Sequence, residues 1–123
     1  MTFHSRNPYH FPLEAAMEIA SVSNVDFKNV MRKFAANFDY IFHFIQLKDK
    51  SQKRLAGIYE MSLSDDGEIR IKEVLRYIHA DDCWEMTGSI SDDKLRYASE
   101  SDEKAKAVFV NEFKRLKDAG TLH

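Results

Sequence analysis

The side chains in this sequence that are best suited to chemistry are five histidines, at positions 4, 10, 43, 79 and 123. No two of them have the i, i+4 spacing of a helical metal site or the spacing of a zinc finger. The single cysteine, Cys83, cannot supply a pair of thiolate ligands or an intrachain disulfide. The spacing of these residues therefore predicts no metal site.

Two of the three polar residues in the most apolar segment of the chain, Phe38–Leu47, are candidates for chemistry. His43 stands inside this segment, where we expect a hydrogen-bonded core histidine rather than a ligand. Asp39 stands at its beginning, at a corner between a predicted helix and a predicted strand. A carboxylate at such a corner commonly accepts hydrogen bonds from nearby backbone amides. We therefore expect both residues to have structural roles.

A predicted turn follows this apolar segment. The basic residues around the turn are Lys48, Lys50, Lys53 and Arg54. A solvated turn is the favoured interpretation, and binding of an acidic partner or a phosphate is the alternative. The phosphate-loop pattern G-x-x-x-x-G-K-[ST] is absent, and so is the G-x-S-x-G pattern of a nucleophile elbow. The residues alone therefore predict an α/β domain without a catalytic constellation of its own.

The composition is that of an ordinary globular protein. The chain has 123 residues, of which 44% are hydrophobic and 31% charged, with a formal net charge of −2. This length predicts one domain, residues 1–123. The slightly acidic balance disfavours a nucleic-acid binder. No apolar run is long enough for a membrane span, and no apolar leader is present at the start, so we expect a cytoplasmic protein.

The predicted elements are arranged around the segment Phe38–Leu47. Its aromatic and β-branched residues fall on both alternating faces, which is typical of a strand in the middle of a covered sheet. A polar turn and a second β-rich segment, Leu55–Leu63, follow it. We therefore predict a β-hairpin whose first strand is the most buried element of the molecule.

Shorter patterns predict the remaining elements. One predicted loop contains both prolines. Three predicted helices have apolar residues at helical spacing. The predicted elements are a loop over Arg6–Pro12, helices over Leu13–Ser21, Phe27–Asn37 and about Asp102–Ala119, a turn at 64–67, a strand over Glu68–Ile71, an ambiguous segment Lys72–Ala80, a loop over His79–Cys83 and an extended piece over Trp84–Ile90.

The helical spacing also predicts which faces are buried. The expected buried residues are Leu13, Ala16, Met17 and Ala20 in the first helix, Phe27, Val30, Met31 and Phe34 in the second, and Ala105, Val108, Phe109, Phe113 and Leu116 in the last. Asp26 is the expected N-cap of the second helix, and Gly120 ends the last one.

Two segments carry a family resemblance. Thr2–Pro8 reads TFHSRNP, similar to a histidine box T-x-H-[AST]-N-[ST]-[AP], with Arg6 in place of the asparagine. Residues 27–54 are similar without a gap to a helix, a strand and a basic turn, with Lys50 in place of the turn glycine. The shorter pieces GIYEM (57–61) and WEMTG (84–88) follow in the same order. In this order the segments resemble the C-terminal part of the type II/IV secretion ATPases, hexameric motors of pilus assembly, secretion and conjugation.

The resemblance implies a fold and a function. The fold would be the C-terminal portion of a RecA-like α/β core, with a central buried strand, a β-hairpin and packing helices. The parent protein would bind ATP and Mg²⁺ and form a homo-hexameric ring that contacts secretion or conjugation proteins. The phosphate loop would precede Met1, so this chain alone would be inactive. His4, at the histidine box, is the implied catalytic residue, facing the γ-phosphate.

A second hypothesis belongs to another class of protein. The chain would then be a stand-alone, non-enzymatic α/β interaction module that docks a partner on its sheet or its last helix. An in-frame phosphate loop upstream of codon 1 would favour the motor, whereas a ribosome-binding site and a stop codon there would favour the module.

Overall fold

The structure, a computed structural model, describes residues 6–22, 26–48, 52–99 and 103–122. A short 3-10 helix, Pro8–His10, precedes the regular elements. These are helices α1 (Phe11–Val22), α2 (Phe27–Asn37), α3 (Asp92–Ser99) and α4 (Glu103–Ala119), and strands β1 (Tyr40–Gln46), β2 (Lys53–Leu63), β3 (Ile69–Ile78), β4 (Cys83–Met86) and β5 (Thr121–Leu122).

The described strands form one sheet in the order β1-β2-β3-β4-β5. Strands β1, β2, β3 and β4 are separated by only a few residues of sequence, a spacing that only antiparallel neighbours can use. The registers confirm this for the later strands, where Tyr77 lies opposite Trp84 and Glu85 opposite Thr121. The protein is therefore of mixed helix and strand content with an antiparallel meander, and the predicted β1–β2 hairpin is confirmed.

The chain divides into two compact units. The first comprises Met1–His43 and Tyr59–Lys72, and the second comprises Phe44–Ile58 and Glu73–His123. The unit boundaries fall inside β1, β2 and β3, so each unit contains part of these strands.

The first unit begins with α1 and α2, which pack against each other. Asp26 is the N-cap of α2, and its carboxylate accepts a hydrogen bond from the Lys28 backbone amide at 3.1 Å. This is the predicted role of Asp26, since the first helical amides lack partners within the helix. The predicted loop ends earlier than expected, because α1 already begins at Phe11.

The buried face of α1 differs from the prediction. Ala15 and Ala16 are buried, whereas Leu13 and Met17 are 41% and 58% exposed. The helix therefore presents its small residues to the core, which allows a close approach to its neighbour. The spacing of large apolar residues correctly predicted that α1 is a helix. It did not predict which face of α1 is buried.

Aromatic rings hold the end of α2 in the first unit. Phe34 stacks on Phe38 with ring centres 5.4 Å apart, and Phe11 meets both rings edge-on. Such pairs add about 0.5–1.5 kcal/mol each beyond the area they bury. Phe34 is buried, as predicted, and this cluster ends where β1 begins.

The prediction that Phe38–Leu47 is the most buried element is wrong. None of the residues of β1 is buried, and Phe42 and Phe44 are 60% and 62% exposed. The physical reason is its place in the sheet, since β2 is the only described strand beside it. The most buried strand is β2, where Gly57, Tyr59, Glu60 and Met61 are buried.

In the second unit β3 and β4 form a tight hairpin. The predicted strand Glu68–Ile71 and the ambiguous segment after it form one strand, β3, because aromatic and β-branched residues continue through Ile78. After β4, the amides of Thr87 and Gly88 both donate to the carbonyl oxygen of Val74. This doubling is a bulge, and a β-carbon at Gly88 would clash with the carbonyl oxygen of Glu73.

The C-terminal helices belong to the second unit. The prediction missed α3, which packs against α4, and it missed the short strand β5. Helix α4 is confirmed, and Gly120 follows it at φ +83°, a conformation that favours glycine. Val108 is 70% exposed, so its predicted burial is wrong. The side chains of Ala105, Phe109 and Phe113 lie outside the described set.

Candidate functional site

The residue implied as catalytic, His4, lies outside the described residues, as do Asp49, Lys50 and Ser51 of the basic turn. Asn7, in the histidine-box segment, is described. Its side chain accepts a hydrogen bond from the Tyr9 backbone amide at 3.0 Å and caps the 3-10 helix.

The described histidines occupy different settings. His10 and His79 are exposed, and the ring of His79 lies edge-on to Tyr77 with centres 4.9 Å apart. His43 is half-buried on β1, rather than a core residue. Within ranges 6–22, 26–48, 52–99 and 103–122, no group of three or more His, Cys, Asp or Glu side chains could hold a metal ion.

The basic turn does not form a phosphate cradle in its described part. Lys48 and Lys53 are exposed. Arg54 points to a carboxylate of its own unit, donating from Nε to Asp82 Oδ1 at 3.2 Å. The favoured interpretation of a solvated turn is consistent with these positions.

Asp82 forms a polar cluster on the turn between β3 and β4. Its carboxylate accepts from the Tyr77 hydroxyl as well as from Arg54. The hydrogen bond to Asp82 raises the pKa of Tyr77 above its ordinary value. Asp82 has φ +47°, a left-handed conformation that Asp tolerates better than most residues. The cluster stabilises a tight turn, and its carboxylate is largely exposed.

A second polar cluster lies inside the first unit, around Glu60 of β2. Glu60 is 4% exposed. The Tyr40 hydroxyl donates to its Oε2 at 3.4 Å, and Lys72 Nζ lies 4.0 Å from its Oε1. A carboxylate this deeply buried needs such partners, because its desolvation is otherwise costly.

Burial is the largest cause that raises the pKa of Tyr40 to about 12. The negative charge of Glu60, its hydrogen bond and the charge of Asp39 act in the same direction. Tyr40 is therefore a neutral hydrogen-bond donor at physiological pH. Asp39 is exposed, and its backbone carbonyl oxygen accepts from the Met61 amide at 2.9 Å.

Cys83 offers no reactive thiolate. It is 2% exposed, and burial raises the pKa of its thiol, with Asp81 and Asp82 adding to the effect. A thiol is nucleophilic as the thiolate, so burial and nearby carboxylates suppress its reactivity. Cys83 is a core residue of the second unit.

Strand β1 exposes apolar side chains on one of its faces. This face consists of Phe42, Phe44 and Gln46, and we refer to it as the β1 face. Scattered single apolar residues are common on protein surfaces, whereas neighbouring exposed phenylalanines on one strand face are a candidate contact surface. The sequence signal was present, since β1 is apolar on both faces, but it predicted burial where the structure has exposed side chains.

No protein-family model matches the chain, and neither a characterised protein nor a solved structure shows significant similarity to it. No helix within the described residues is both long enough and apolar enough to cross a membrane.

The described residues bring no nucleophile, base and oxyanion donor together. Their two polar clusters join tyrosine, carboxylate and cation in arrangements that stabilise strands and turns. The β1 face, with two exposed phenylalanines on one strand, is the candidate functional site.

Proposed function

We propose that this chain is the C-terminal portion of a hexameric motor ATPase of the secretion or conjugation type, with a RecA-like core. The observation that supports the proposal is that β1 is apolar but exposed. This strand is apolar on both faces, yet it lies at the edge of the described sheet with Phe42 and Phe44 about 60% exposed.

Such a strand is expected inside a sheet that is covered on both sides. In α/β proteins an otherwise parallel sheet often continues into antiparallel strands at one edge. The β1–β2–β3–β4 meander fits such an edge, and the preceding part of the core would then lie next to β1. The order of the family-like segments, from Thr2–Pro8 to Trp84–Gly88, supports the same placement.

ATP and Mg²⁺ do not fit this chain by itself. The sequence has no phosphate-loop pattern, and the described residues offer no cluster of metal-ligating side chains. We therefore assign no nucleotide step to them. In the proposed parent the nucleotide would bind upstream, His4 would contact the γ-phosphate region, and the neighbouring subunits of a cytoplasmic ring would be the first partners.

The codons that precede Met1 in the gene test the proposal directly. We expect an in-frame G-x-x-x-x-G-K-[ST] pattern followed by an acidic strand. A stop codon and a ribosome-binding site immediately before codon 1 would overturn the motor assignment.

Nucleotide titration provides a second test. Calorimetry of the 123-residue chain with Mg-ATP is expected to show no binding, and a micromolar dissociation constant would contradict the account.

In the parent, His4→Ala should lower turnover roughly 10–1,000-fold, the scale of losing one charge-stabilising donor, with little change in ATP binding. His10→Ala, at an exposed position outside the histidine box, is the matched control. Preserved turnover in His4→Ala would remove the catalytic role.

A stand-alone interaction module is the second candidate. The β1 face also favours it, because an exposed apolar strand edge can bind another protein without any enzymatic activity. The upstream codons distinguish the two candidates.

A further inference from the structure

We propose that the 123-residue chain forms a symmetric dimer in which β1 pairs antiparallel with β1 of a second copy, around His43. The proposal goes beyond the motor assignment and does not rest on it. In a longer parent, a preceding strand would compete for the same edge of β1.

The backbone hydrogen bonds at the two ends of β1 show which of its residues face β2. The Met61 amide donates to Asp39 and the Leu47 amide donates to Gln52, so residues 39 and 47 direct their backbone groups toward β2. Because this direction alternates along an antiparallel strand, the odd-numbered residues of β1 face β2. The backbone groups of Phe42 and Phe44 therefore point to the outer edge. No other described strand lies along that edge.

The side chains of this edge are not protected against pairing. Natural edge strands usually carry lysines, prolines, bulges or inward charges that prevent pairing with another chain. The segment Tyr40–Gln46 reads YIFHFIQ and contains no lysine, arginine, acidic residue or proline. An edge that lacks these features favours an occupant that pairs with it.

The sequence of β1 is complementary to itself, which identifies the occupant as a second copy. Ile41 and Ile45 are placed symmetrically about His43, and so are Phe42 and Phe44. A two-fold axis at His43 places Phe42 opposite the second copy's Phe44, and Ile41 opposite its Ile45. Shifting the register by two residues in either direction breaks both of these pairings. Cross-strand pairs of like apolar residues stabilise a sheet, so this register is the preferred one.

The same register agrees with the hydrogen-bond pattern. Pairs of even-numbered residues, such as Phe42 with Phe44, exchange backbone hydrogen bonds across the axis. His43 then faces His43 in a non-hydrogen-bonded pair, where the Cα atoms lie about 4.5 Å apart. A dimer of this type is isologous, with the same surface on both copies.

Site-directed crosslinking tests the register. Variants His43→Cys and Gln46→Cys are made in a Cys83→Ala background, which removes the native thiol. The Cα separation expected at His43 permits a disulfide, whereas Gln46 lies opposite Tyr40 of the second copy. Under copper-catalysed air oxidation, we expect His43→Cys to form a covalent dimer about tenfold faster than Gln46→Cys, because pairing holds the two thiols together. Equal rates would overturn the proposed register.

Sedimentation of the unmodified chain tests the dimer without a crosslink. We expect a dimer at micromolar concentrations, and a monomer for Phe44→Lys, because lysine at an edge opposes pairing. Circular dichroism should show the same secondary structure for both, since residue 44 is exposed. A monomeric unmodified chain would overturn the proposal. Neither outcome changes the upstream codons, so a failure here is distinguishable from a failure of the motor assignment.

Discussion

Strands β1 and β2 are neighbours in the sheet, and the more apolar of the two is the more exposed. Strand β1 has three aromatic residues and no charged residue, whereas β2 has one aromatic residue, Tyr59, and three charged residues. In β1 no residue is buried and two phenylalanines are about 60% exposed, whereas Met61 of β2 is 0% exposed. The strands differ in their number of partners, since β2 lies between β1 and β3 and β1 has one described neighbour.

This comparison shows what an apolar strand requires and what its sequence leaves open. A strand with apolar residues on both faces is most stable when both faces and both edges are covered. The composition of a strand does not show whether the elements that pack against it belong to the same chain. In β1 the described elements leave Phe42 and Phe44 exposed.

The largest expected difference between the two strands is in how much the free energy of unfolding falls when one side chain is replaced by alanine. Met61→Ala should lower the free energy of unfolding by about 2–5 kcal/mol, because it removes fully buried methylenes and leaves a cavity. Phe44→Ala should change it by less than about 1 kcal/mol, although it deletes a larger side chain, because that side chain is mostly in water. Urea denaturation of both variants measures the difference. Equal losses would show that β1 is as buried as β2.

The buried carboxylate of Glu60 on β2 can be contrasted with the exposed carboxylate of Asp82. Glu60→Gln should cost about 1–3 kcal/mol, because an amide donor then faces the Tyr40 hydroxyl or the Lys72 ammonium in a site with little water. Asp82→Asn is the matched control, since it makes the same isosteric change at an exposed carboxylate. We expect it to cost less than about 1 kcal/mol.

Thermal denaturation of these two variants at neutral pH is the measurement. A Glu60→Gln protein as stable as the unmodified chain would show that the Glu60 charge is not needed in the interior of the first unit.

A smaller effect on stability is expected from the ionisation of Tyr40, whose hydroxyl on β1 donates to Glu60 on β2. Its pKa in the folded protein is about 12, above the ordinary value of 10.0. The neutral phenol is favoured by folding, so its contribution to stability is complete below pH 10 and is lost as the pH rises from 10 towards 12. Ultraviolet titration against Tyr40→Phe should show one tyrosine ionising late. Ionisation of this tyrosine near pH 10 would contradict its burial and its hydrogen bond to Glu60.

Local patterns were sufficient to predict much of the fold. The hairpin, α2 with its Asp26 cap, α4 with Gly120 and the turn before β3 all follow from signals within a few residues. The covered side of α1 and the edge position of β1 depend on distant elements, and a periodic pattern does not contain that information. The α3 segment was missed because its apolar residues are few.

The candidate site was predictable only in part. The two-sided apolar pattern of β1 identified the right strand but predicted that it was buried. The Glu60 cluster was not predicted, because a glutamate in a strand gives no sign that a tyrosine on the neighbouring strand and a lysine will surround it. The role of His4 stays a prediction, since that residue lies outside the described structure.

The exposure of β1 can be measured most directly by thiol labelling of the native protein. Cys83 is buried, so the unmodified chain provides a slow reference. In Phe44→Cys, we expect the new thiol to react with a thiol reagent as fast as a free peptide thiol, whereas in Met61→Cys it should react only as the protein unfolds. Pairing along the β1 edge would leave the β1 face open, so a dimer does not alter this expectation. A Phe44→Cys thiol that reacts as slowly as the Met61→Cys thiol would contradict the account.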